Sequence, residues 1–298
     1  MRFSLIVPTV NRVNELGRLF QSLSTQHHDD FEVILVDQNL DNRLEKLVTD
    51  YSQQFPILHL KQTQRGLSRA RNLGRSHTKG DIIAFPDDDS VYPPTVLSQV
   101  DHFLEHDQAW DGVIARIFDL NHDQNAFEFC GGDDQSGTVD YWKGYTVGIS
   151  HAMFFRASVV RELAFDEAMG VGSGTLWGAG EDVDYLFQCL DAGYRFYYDS
   201  KLNVRHPSPL KKNNFRQQIQ REYSYGLGNG YLLGKHILPK PLVQSATSSG
   251  YQHTILEISK GDLRRAGYFL MWGIGTSFGY WNGIKKRQKI TQEAKKII

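Results

Sequence analysis

The amino-acid sequence predicts an α/β fold with a mostly parallel sheet, followed by a helical C-terminal extension. Over roughly the first hundred residues, short apolar runs alternate with segments of helical periodicity, and this alternation is typical of right-handed βαβ crossovers. From about Asn213 the pattern becomes wholly helical. We therefore expect a sheet domain over residues 1–210 and a helical extension over residues 211–298.

Four short apolar runs are expected to form buried strands, and they lie at residues 3–7, 33–36, 57–60 and 82–85. Between them, leucines and aromatic residues recur three or four positions apart over residues 16–23 and again over residues 44–51. This spacing predicts helices that would cover both faces of a parallel sheet.

The middle of the chain, from about residue 113 to 206, is less regular and has glycine-rich turns at 131–132 and 170–180. Apolar side chains at 183, 186, 187 and 190 predict a helix over residues 181–192, and Gly193 is placed to end it. A strand over residues 195–198 and another that ends at Val204 are expected to follow.

Composition excludes several classes of protein. The chain has 298 residues, of which 40% are hydrophobic and 22% charged, and a net charge of -1, which argues against a nucleic-acid partner. Two cysteines, Cys130 and Cys189, are too few for a disulfide framework, which favours a reducing compartment. The first apolar run is too short for a signal peptide, and no run reaches the ~18 residues of a membrane span. We therefore expect a cytoplasmic protein.

Polar residues follow three of the predicted strands, at the edge where ligands bind in parallel sheets. They are Pro8 with Thr9, Asp37 with Gln38, and the aspartate triplet at 87–89. Three adjacent carboxylates repel unless water, a basic group or a cation neutralises them. A lone triplet is compatible with a solvated acidic turn, whereas Mg²⁺ or Mn²⁺ together with a phosphorylated ligand would also satisfy it.

Glycine-based phosphate sites are missing from the sequence. Neither G-x-G-x-x-G nor G-x-x-x-x-G-K-[ST] occurs after a predicted strand. The glycines at 226, 228 and 230 lie in a helical region, where close helix packing explains them better. A metal ion is therefore the expected holder of phosphate.

Seven motifs occur in a characteristic order: Ile6-Val-Pro-Thr9, Val36-Asp37, Arg65-Gly-Leu-Ser-Arg-Ala-Arg-Asn-Leu-Gly74, Phe85-Pro-Asp-Asp-Asp89, Gly180-Glu-Asp-Val-Asp184, Ala192-Gly-Tyr194 and Val204-Arg-His206. Together they resemble the family 2 glycosyltransferases of the GT-A fold, a Rossmann-like architecture, over roughly residues 1–207. The resemblance implies a metal-dependent inverting enzyme of the bacterial polysaccharide or lipid-linked glycan type. Such an enzyme moves a sugar from a nucleotide-diphosphate sugar to a hydroxyl of a glycan or lipid-linked acceptor.

The resemblance also implies roles on the donor side. Asp89 would hold Mn²⁺ or Mg²⁺ directly, with His206 as a further ligand, and Asp87 and Asp88 would contact the metal, its water or the ribose. A metal held there stabilises the charge of the leaving diphosphate. Arg71 is expected to contact the nucleotide phosphates, although an ion pair between Arg71 and Asp37 would also explain it.

The nucleotide base would lie against Pro8, Thr9 and Asp37. Many relatives carry a second acid after the second strand, where this chain has Gln38. An amide can donate to a ring carbonyl or accept from a ring N–H, which leaves UDP, GDP and dTDP open.

On the acceptor side, Asp182 is expected to be the base that takes the proton of the attacking hydroxyl, since a helix N-terminus favours an anion. Glu181 would bind an acceptor hydroxyl, and Trp177 lies in the loop that resembles the acceptor-closing loop of the family. A carboxylate base implies single displacement with inversion. Alternatively, the two acids only cap the helix.

Two other classes of function are compatible with parts of the sequence. A nucleotidyltransferase also uses clustered aspartates, but it should carry a basic glycine-rich signature after the first strand, and residues 9–12 match that poorly. A non-catalytic sugar-nucleotide-binding module would be expected to have lost Asp89 or Asp182, and both are present.

Within the C-terminal segment 263–298, an aromatic-rich stretch over residues 263–281 is followed by the basic residues at 285, 286, 287 and 289. This pattern is typical of an interfacial membrane helix, which would place the protein at the cytoplasmic face of the inner membrane. A helix packed on the fold or in a homodimer would explain the same pattern.

Overall fold

The computed structural model describes residues 1–126, 132–208 and 214–294, so Cys130, Gly131 and Asn213 lie outside the described residues. The chain divides into two compact units. The sheet unit comprises Met1–Phe165 and Tyr185–Pro209, and the helical unit comprises Asp166–Asp184 and Leu210–Ile298. The boundary expected at residue 210 agrees with the start of the second part of the helical unit, and that unit also contains the earlier segment 166–184.

The sheet unit contains eight strands in the order β3-β2-β1-β4-β7-β5-β8-β6. The strands are β1 (Phe3–Thr9), β2 (Phe31–Asp37), β3 (Ile57–Lys61), β4 (Ile82–Ala84), β5 (Gly112–Asp119), β6 (Gly137–Thr138), β7 (Met153–Arg156) and β8 (Phe196–His206). The helices are α1 (Val13–Leu23), α2 (Glu45–Tyr51), α3 (Leu67–Arg75), α4 (Val96–His106), α5 (Tyr141–Val147), α6 (Ala157–Glu162), α7 (Glu181–Asp191), α8 (Phe215–Lys235), α9 (Lys240–Ser259) and α10 (Leu263–Ala294). A short 3-10 turn over Ser150–Ala152 precedes β7.

The first four strands run parallel, as expected, and Thr9 at the end of β1 lies opposite Asp37 at the end of β2. The antiparallel strand β7 then inserts between β4 and β5, with Ala84 opposite Phe154. Because β7 runs the other way, its first residues lie at the edge where β4 ends. Residues that follow β4 and residues that precede β7 therefore lie at the same edge of the sheet.

Both faces of the sheet are covered by apolar side chains. One core cluster joins residues of α1 and α4 to the sheet, and the other joins residues of α3, α6 and α7 to its opposite face. All seven residues of β1 and all seven of β2 are buried, because a strand covered on both faces has no solvent-facing side.

The later elements differ in detail from the expectation. Instead of two strands, residues 196–206 form the single strand β8, whose register against β5 shifts between Ala115 and Arg116. This irregularity interrupts the apolar alternation and explains why the sequence suggested two strands. Helix α7 ends at Asp191, and Gly193 adopts a left-handed φ of 89° after it, which confirms the predicted glycine stop.

In the helical unit, α8 and α10 pack through glycines. A Cβ on Gly226, Gly230 or Gly234 of α8 would lie 2.0–2.3 Å from a carbonyl oxygen of α10. Gly279 and Gly283 of α10 meet carbonyl oxygens of α8 in the same way, at 2.1 Å and 2.2 Å. Only glycine allows backbones to approach so closely, which confirms helix packing as the reason for the glycines at 226 and 230.

No helix within residues 1–126, 132–208 and 214–294 is both long enough and apolar enough to cross a membrane.

Candidate active site

The aspartate triplet follows β4 at the carboxyl edge of the sheet, as expected, and each carboxylate has a basic or hydroxyl partner. Thr9 Oγ1 donates to Asp88 Oδ2 at 2.7 Å. The guanidinium of Arg12 donates to Asp88 Oδ1 at 2.9 Å and also contacts Asp89. Thr9 therefore acts by holding Asp88, and Pro8 is buried in β1 beside it.

Two histidines complete the cluster. His151 Nδ1 lies 3.2 Å from Asp87 Oδ2, and His206 Nε2 lies 3.1 Å from Asp89 Oδ1. The two imidazole rings stack with centroids 4.7 Å apart. One potential ligand atom each from Asp87, His151 and His206 lies within 4.8 Å of the others, so these three residues could hold a metal ion.

Asp89 lies beside this group of three. Its Oδ1 is buried and makes no hydrogen bond of standard geometry within the described chain, although it is 3.1 Å from His206 Nε2. A buried carboxylate oxygen of this kind is costly unless a cation satisfies it. The expected ligands Asp87, Asp89 and His206 are thus neighbours, and His151 joins them.

The charges of the cluster shift the pKa values of its members in different directions. Burial raises the pKa of Asp88 to about 6, and the charges of Asp89 and Asp87 add to this against Arg12 and Thr9. Burial also acts to raise the pKa of Asp87, but the hydrogen bond and charge of His151 and the charge of Arg71 hold it well below its usual range.

The pair formed by Asp89 and His206 is shifted towards the ionised forms. Burial acts to raise the pKa of Asp89, yet His206 and Arg12 outweigh it and lower that pKa. For His206, burial acts to lower the pKa, and Asp89 and Asp87 raise it above the ordinary value. The cluster therefore brings the three carboxylates together with the guanidinium groups of Arg12 and Arg71 and with two imidazoles.

Arg71 lies on α3 and is almost fully buried, with its side chain 1% exposed. It donates to Asp87 Oδ1 at 3.2 Å and to Ser150 Oγ at 2.5 Å, and it stacks over the ring of Phe165. The alternative of an ion pair with Asp37 is wrong, since Asp37 has other partners. Arg71 therefore belongs to the acidic cluster.

Asp37 ends β2 and is completely buried. Its Oδ1 accepts from the backbone and side-chain amides of Asn39 at 2.8 Å and 2.7 Å. Its Oδ2 lies 3.0 Å from His59 Nε2 and 2.8 Å from Lys61 Nζ. These four donors match the acceptor capacity of a carboxylate, and they lower the pKa of Asp37 against the opposing effect of burial.

Gln38 is buried beside Asp37. Its Oε1 accepts from the backbone amide of Gly66 at 2.8 Å, and Gly66 has a φ of 145°, which a side chain would disfavour. The contact fixes which end of the amide faces Gly66, so the NH₂ end points elsewhere.

The predicted acceptor residues belong to the helical unit. Glu181 and Asp182 form the first turn of α7, where the helix dipole favours negative charge, and Glu181 is buried while Asp182 is half-buried. Gly180 precedes them with a φ of 84°. A Cβ there would lie 2.7 Å from Leu232 of α8, so glycine is required for both reasons.

Trp177 is positioned by the loop before α7. Its ring stacks on Tyr231 of α8 with centroids 4.4 Å apart, and its carbonyl accepts from the amide of Gly170 at 2.8 Å. The loop therefore closes on itself and packs on α8, which gives Trp177 a fixed place.

A second buried carboxylate, Asp184, lies two residues after Asp182 and was given no role by sequence reasoning. Its oxygens contact His236 Nε2 and Lys235 Nζ, each at 2.9 Å, and Lys235 also reaches Asp166 Oδ2 at 2.8 Å. Burial acts to raise the pKa of Asp184, but His236 and Lys235 lower it. The network ties the first turn of α7 to the end of α8.

Sequence reasoning also missed Arg12 and His151. Arg12 follows β1 at a position that carries no motif in the quoted series. His151 lies in a stretch with no ligand spacing, and it reaches the cluster only because β7 runs antiparallel beside β4. Predicting the position of His151 would have required predicting that β7 inserts antiparallel between β4 and β5. The irregular hydrophobic pattern of residues 113–160 does not indicate this insertion.

The sheet order, with an antiparallel strand among parallel ones and an acidic triplet at the carboxyl edge, is that of the GT-A fold. Residues 4–164 match the family described as Glycosyl transferase family 2. The match covers more than half of the chain, and the chain belongs to this family.

Several proteins of known sequence are similar to parts of the chain. A glycosyltransferase of Haemophilus influenzae is 37% identical over 103 residues, which cover 34% of this chain and 34% of that protein. The minor teichoic acid biosynthesis protein GgaB of Bacillus subtilis is 26% identical over 177 residues, covering 57% of this chain and 20% of its own. The chain thus spans about one third or less of these relatives.

Two solved structures share the fold. The 1–349 portion of S. aureus TarS is 15% identical with a TM-score of 0.61, and the match covers 98% of this chain and 92% of that one. The mannosyltransferase PcManGT of Pyrobaculum calidifontis, solved with GDP-Man and Mn²⁺, is also 15% identical with a TM-score of 0.61, over 96% and 86% of the two chains.

Proposed function

We propose that the chain is a metal-dependent inverting glycosyltransferase that moves a sugar from a nucleotide-diphosphate sugar to a hydroxyl of a glycan or lipid-linked acceptor. The observation that carries the proposal is the cluster of Asp87, Asp89, His151 and His206 at the carboxyl edge of the sheet. A family 2 chain with an intact acidic triplet and helix-borne carboxylates retains the groups that glycosyl transfer needs.

The donor diphosphate would be bound by a divalent metal held by Asp87, Asp89, His151 and His206. When bound, the metal would neutralise the charge that develops on the leaving diphosphate. Two imidazoles among the ligands favour Mn²⁺ over Mg²⁺, because Mg²⁺ is bound mainly through oxygen. Arg12, whose side chain is 47% exposed, is free to turn towards the diphosphate once the carboxylates have another partner.

On the acceptor, Asp182 would accept the hydroxyl proton while the oxygen attacks the anomeric carbon and the bond to the diphosphate breaks. Glu181 would hold a neighbouring hydroxyl. The first turn of α7, where both carboxylates lie, is a position at which the helix dipole favours negative charge, and both groups could accept a proton or a hydrogen bond.

The sequence left open whether the Gln38 amide would donate to the nucleotide base or accept from it, and the contact between Gln38 and Gly66 favours donation. With Oε1 engaged, the amide presents its NH₂ donors, and these match a ring carbonyl rather than a ring N–H. Uracil, thymine and guanine all carry such a carbonyl. Asp37 would meet the ribose only by exchanging Lys61, whose side chain is 41% exposed, for a sugar hydroxyl.

A screen of sugar nucleotides tests the proposal. The chain is incubated with each donor and Mn²⁺ or Mg²⁺, and released nucleoside diphosphate is measured with and without a chelator. We expect slow hydrolysis of one donor that stops when the metal is removed. Release of pyrophosphate from a nucleoside triphosphate and a sugar phosphate would instead identify a nucleotidyltransferase. Binding of donors without any turnover would identify a non-catalytic module.

We further propose that α10 contacts an anionic membrane surface. Four large apolar side chains, at 270, 274, 278 and 281, recur three or four positions apart and are 40–65% exposed. Such spacing places them on one face of the helix. The basic residues at 285 and 286 follow and are exposed. An apolar stripe with an adjacent basic cluster matches an interfacial helix, and each basic residue near an anionic leaflet adds about 1 kcal/mol.

Sedimentation with vesicles tests the membrane contact. We expect the full chain to bind phosphatidylglycerol vesicles at low salt, and Phe278→Ser with Trp281→Ser to release it. Ile237→Ser is the matched control, because Ile237 is 80% exposed but lies outside the stripe. A wild-type chain that ignores the vesicles would contradict the proposal. A homodimer that the double substitution dissociates would assign the stripe to a second copy.

A further inference from the structure

A cavity in the helical unit has no role in the scheme above. It has a volume of about 310 Å³ and lies between the glycine-rich loop over residues 170–178 and the first half of α8. Its lining includes the hydroxyl groups of Ser173, Thr175, Ser224 and Tyr225. Arg221 is the one charged residue among its described lining residues.

The shape of the cavity is built into the loop. Gly172 and Gly174 have φ values of 77° and 78°, which other residues rarely adopt. Thr175 Oγ1 donates to the carbonyl of Ala168 at 2.5 Å, and its own oxygen accepts from the amide of Trp177 at 3.0 Å. A Cβ on Gly178 would lie 2.4 Å from Ser224 Oγ, so the loop must approach α8 without a side chain there.

Arg221 is held in place by an aromatic ring. Its guanidinium stacks over the ring of Tyr225 at 4.9 Å, and the side chain is half-buried. It forms no salt bridge within residues 1–126, 132–208 and 214–294. The neighbouring acid Glu222 accepts from Gln218; burial raises the pKa of Glu222, and the charge of Arg221 acts against that rise. A guanidinium fixed by stacking, in a cavity that is lined otherwise by glycines and hydroxyl-bearing residues with one valine, is suited to bidentate binding of an anion.

The cavity adjoins the proposed acceptor residues. Gly170 lines it, and a Cβ on Gly170 would lie 3.0 Å from the carboxyl carbon of Glu181. Gly170 therefore both lines the cavity and lies beside the carboxylate next to Asp182.

We infer that this cavity is an acceptor subsite for a phosphate group, with Arg221 as the residue that binds it. The inference rests on the proposed function, because it takes Glu181 and Asp182 as acceptor residues. The acceptor would then be a phosphate-bearing glycan, polyol or lipid whose attacking hydroxyl reaches Asp182 while its phosphate occupies the cavity. Carboxylic acids and neutral sugars would bind less well, because neither offers a tetrahedral dianion to the guanidinium.

Binding of glycerol 3-phosphate tests the inference. The dissociation constant is measured by calorimetry on the full chain with its donor site saturated by nucleoside diphosphate and Mn²⁺. We expect Arg221→Gln to weaken binding on the order of 10-fold or more, since a charge-assisted hydrogen bond is lost. Arg221→Lys keeps the charge but loses the paired donors of the guanidinium. Its dissociation constant should lie between those of the wild type and Arg221→Gln. Arg216→Gln, on the exposed first turn of the same helix, is the matched control and should bind as the wild type does.

The same variants separate the inference from the proposed function. Hydrolysis of the sugar nucleotide should stay within twofold in all three, because none of these residues touches the donor cluster. Equal binding by the Arg221→Gln and Arg216→Gln variants, or no binding by the wild type, would overturn the inference while donor hydrolysis continued. Absence of donor hydrolysis in the wild type would instead overturn the proposed function.

Lysophosphatidic acid below its micelle concentration distinguishes the two sources of the phosphate. Tighter binding than glycerol 3-phosphate, lost in Arg221→Gln, assigns the subsite to a lipid acceptor. Equal affinity of the two probes, with the same loss in the variant, assigns it to a water-soluble phosphate acceptor.

Discussion

Two buried carboxylate clusters in this chain are built from the same chemical groups but differ in exposure. In the sheet unit, Asp87 pairs with His151 and Arg71, and its side chain is 28% exposed. In the helical unit, Asp184 pairs with His236 and Lys235, and its side chain is 0% exposed. Each therefore combines a carboxylate, an imidazole and a cation.

The difference in exposure separates a ligand site from a structural network. Asp184 is closed off, and both of its oxygens have basic partners, so no ligand can enter without unfolding the contact. The sheet cluster has three adjacent carboxylates, a buried oxygen of Asp89 that lacks a hydrogen bond of standard geometry, and a half-exposed partner in Arg12. On the proposed function, its partners would be exchanged for a metal and a diphosphate. A carboxylate beside a histidine and a cation is therefore a site only where solvent can reach it.

The largest expected effect is on the cluster of Asp87, Asp88, Asp89, His151 and His206 in the sheet unit, which we call the open cluster. Asp89→Asn should abolish metal-dependent nucleotide binding and reduce transfer on the order of 10³-fold or more, because a metal at the leaving group is worth several kcal/mol. Nucleotide titration with and without Mn²⁺, together with release of nucleoside diphosphate, measures both.

Asp123→Asn is the control for that substitution, since the side chain of Asp123 is 85% exposed and pairs only with Arg205 on the surface. Its activity should equal that of the wild type. Full transfer by the Asp89→Asn variant, or by the wild type in a chelator, would show that the open cluster is structural as well.

The next effect compares two aspartates in one helical turn. Asp182→Asn should reduce transfer by on the order of 10²- to 10⁴-fold, the usual contribution of a positioned base, and leave donor affinity nearly unchanged. Its free energy of unfolding should fall by less than about 1 kcal/mol, because Asp182 is only half-buried. Equal losses of donor affinity and rate would place Asp182 on the donor side instead.

Asp184→Asn should reduce stability strongly and donor binding little. The substitution leaves Lys235 and His236 buried beside a neutral amide, which costs about 3–5 kcal/mol of unfolding free energy. Well below the lowered melting temperature, donor binding should persist. Chemical denaturation of Asp184→Asn and Asp182→Asn side by side measures the difference.

The stability that Asp184 contributes also depends on pH. Because the pKa of Asp184 is lowered by folding, its contribution is present above the unfolded value of 3.8 and is lost as the pH falls through the folded value. The gap between wild type and Asp184→Asn should therefore close in acid. A gap that persists at low pH would show that packing, and not the carboxylate charge, accounts for the loss.

The comparison also shows how far the sequence alone could lead. The parallel strands and the acidic triplet were predictable because each depends on a local pattern, a short apolar run and the polar residues after it. His151 and Lys235 were not, because they reach their carboxylates through contacts that join distant parts of the chain. The ion pair between Arg71 and Asp37 failed as an alternative for the same reason, since His59 and Lys61 of the neighbouring strand already satisfy Asp37.

The smallest expected effect concerns Asp88, whose pKa is raised to about 6, whereas the pKa values of the carboxyl groups of Asp87 and Asp89 are lowered. A carboxyl whose pKa is higher in the folded than in the unfolded chain binds more protons when folded, so stability falls as the pH rises from 3.8 to about 6. Asp88→Asn mimics the protonated form and should not show this decline. In a chelator, the variant should match the wild type near pH 4 and exceed it at pH 7, by at most ~3 kcal/mol at about 1.4 kcal/mol per pKa unit. Melting curves of both proteins across this range measure the difference. A wild type that gains stability over the variant as the pH rises would mean that Arg12 and Thr9 outweigh burial, and that the open cluster is as well satisfied without a ligand as Asp184 is.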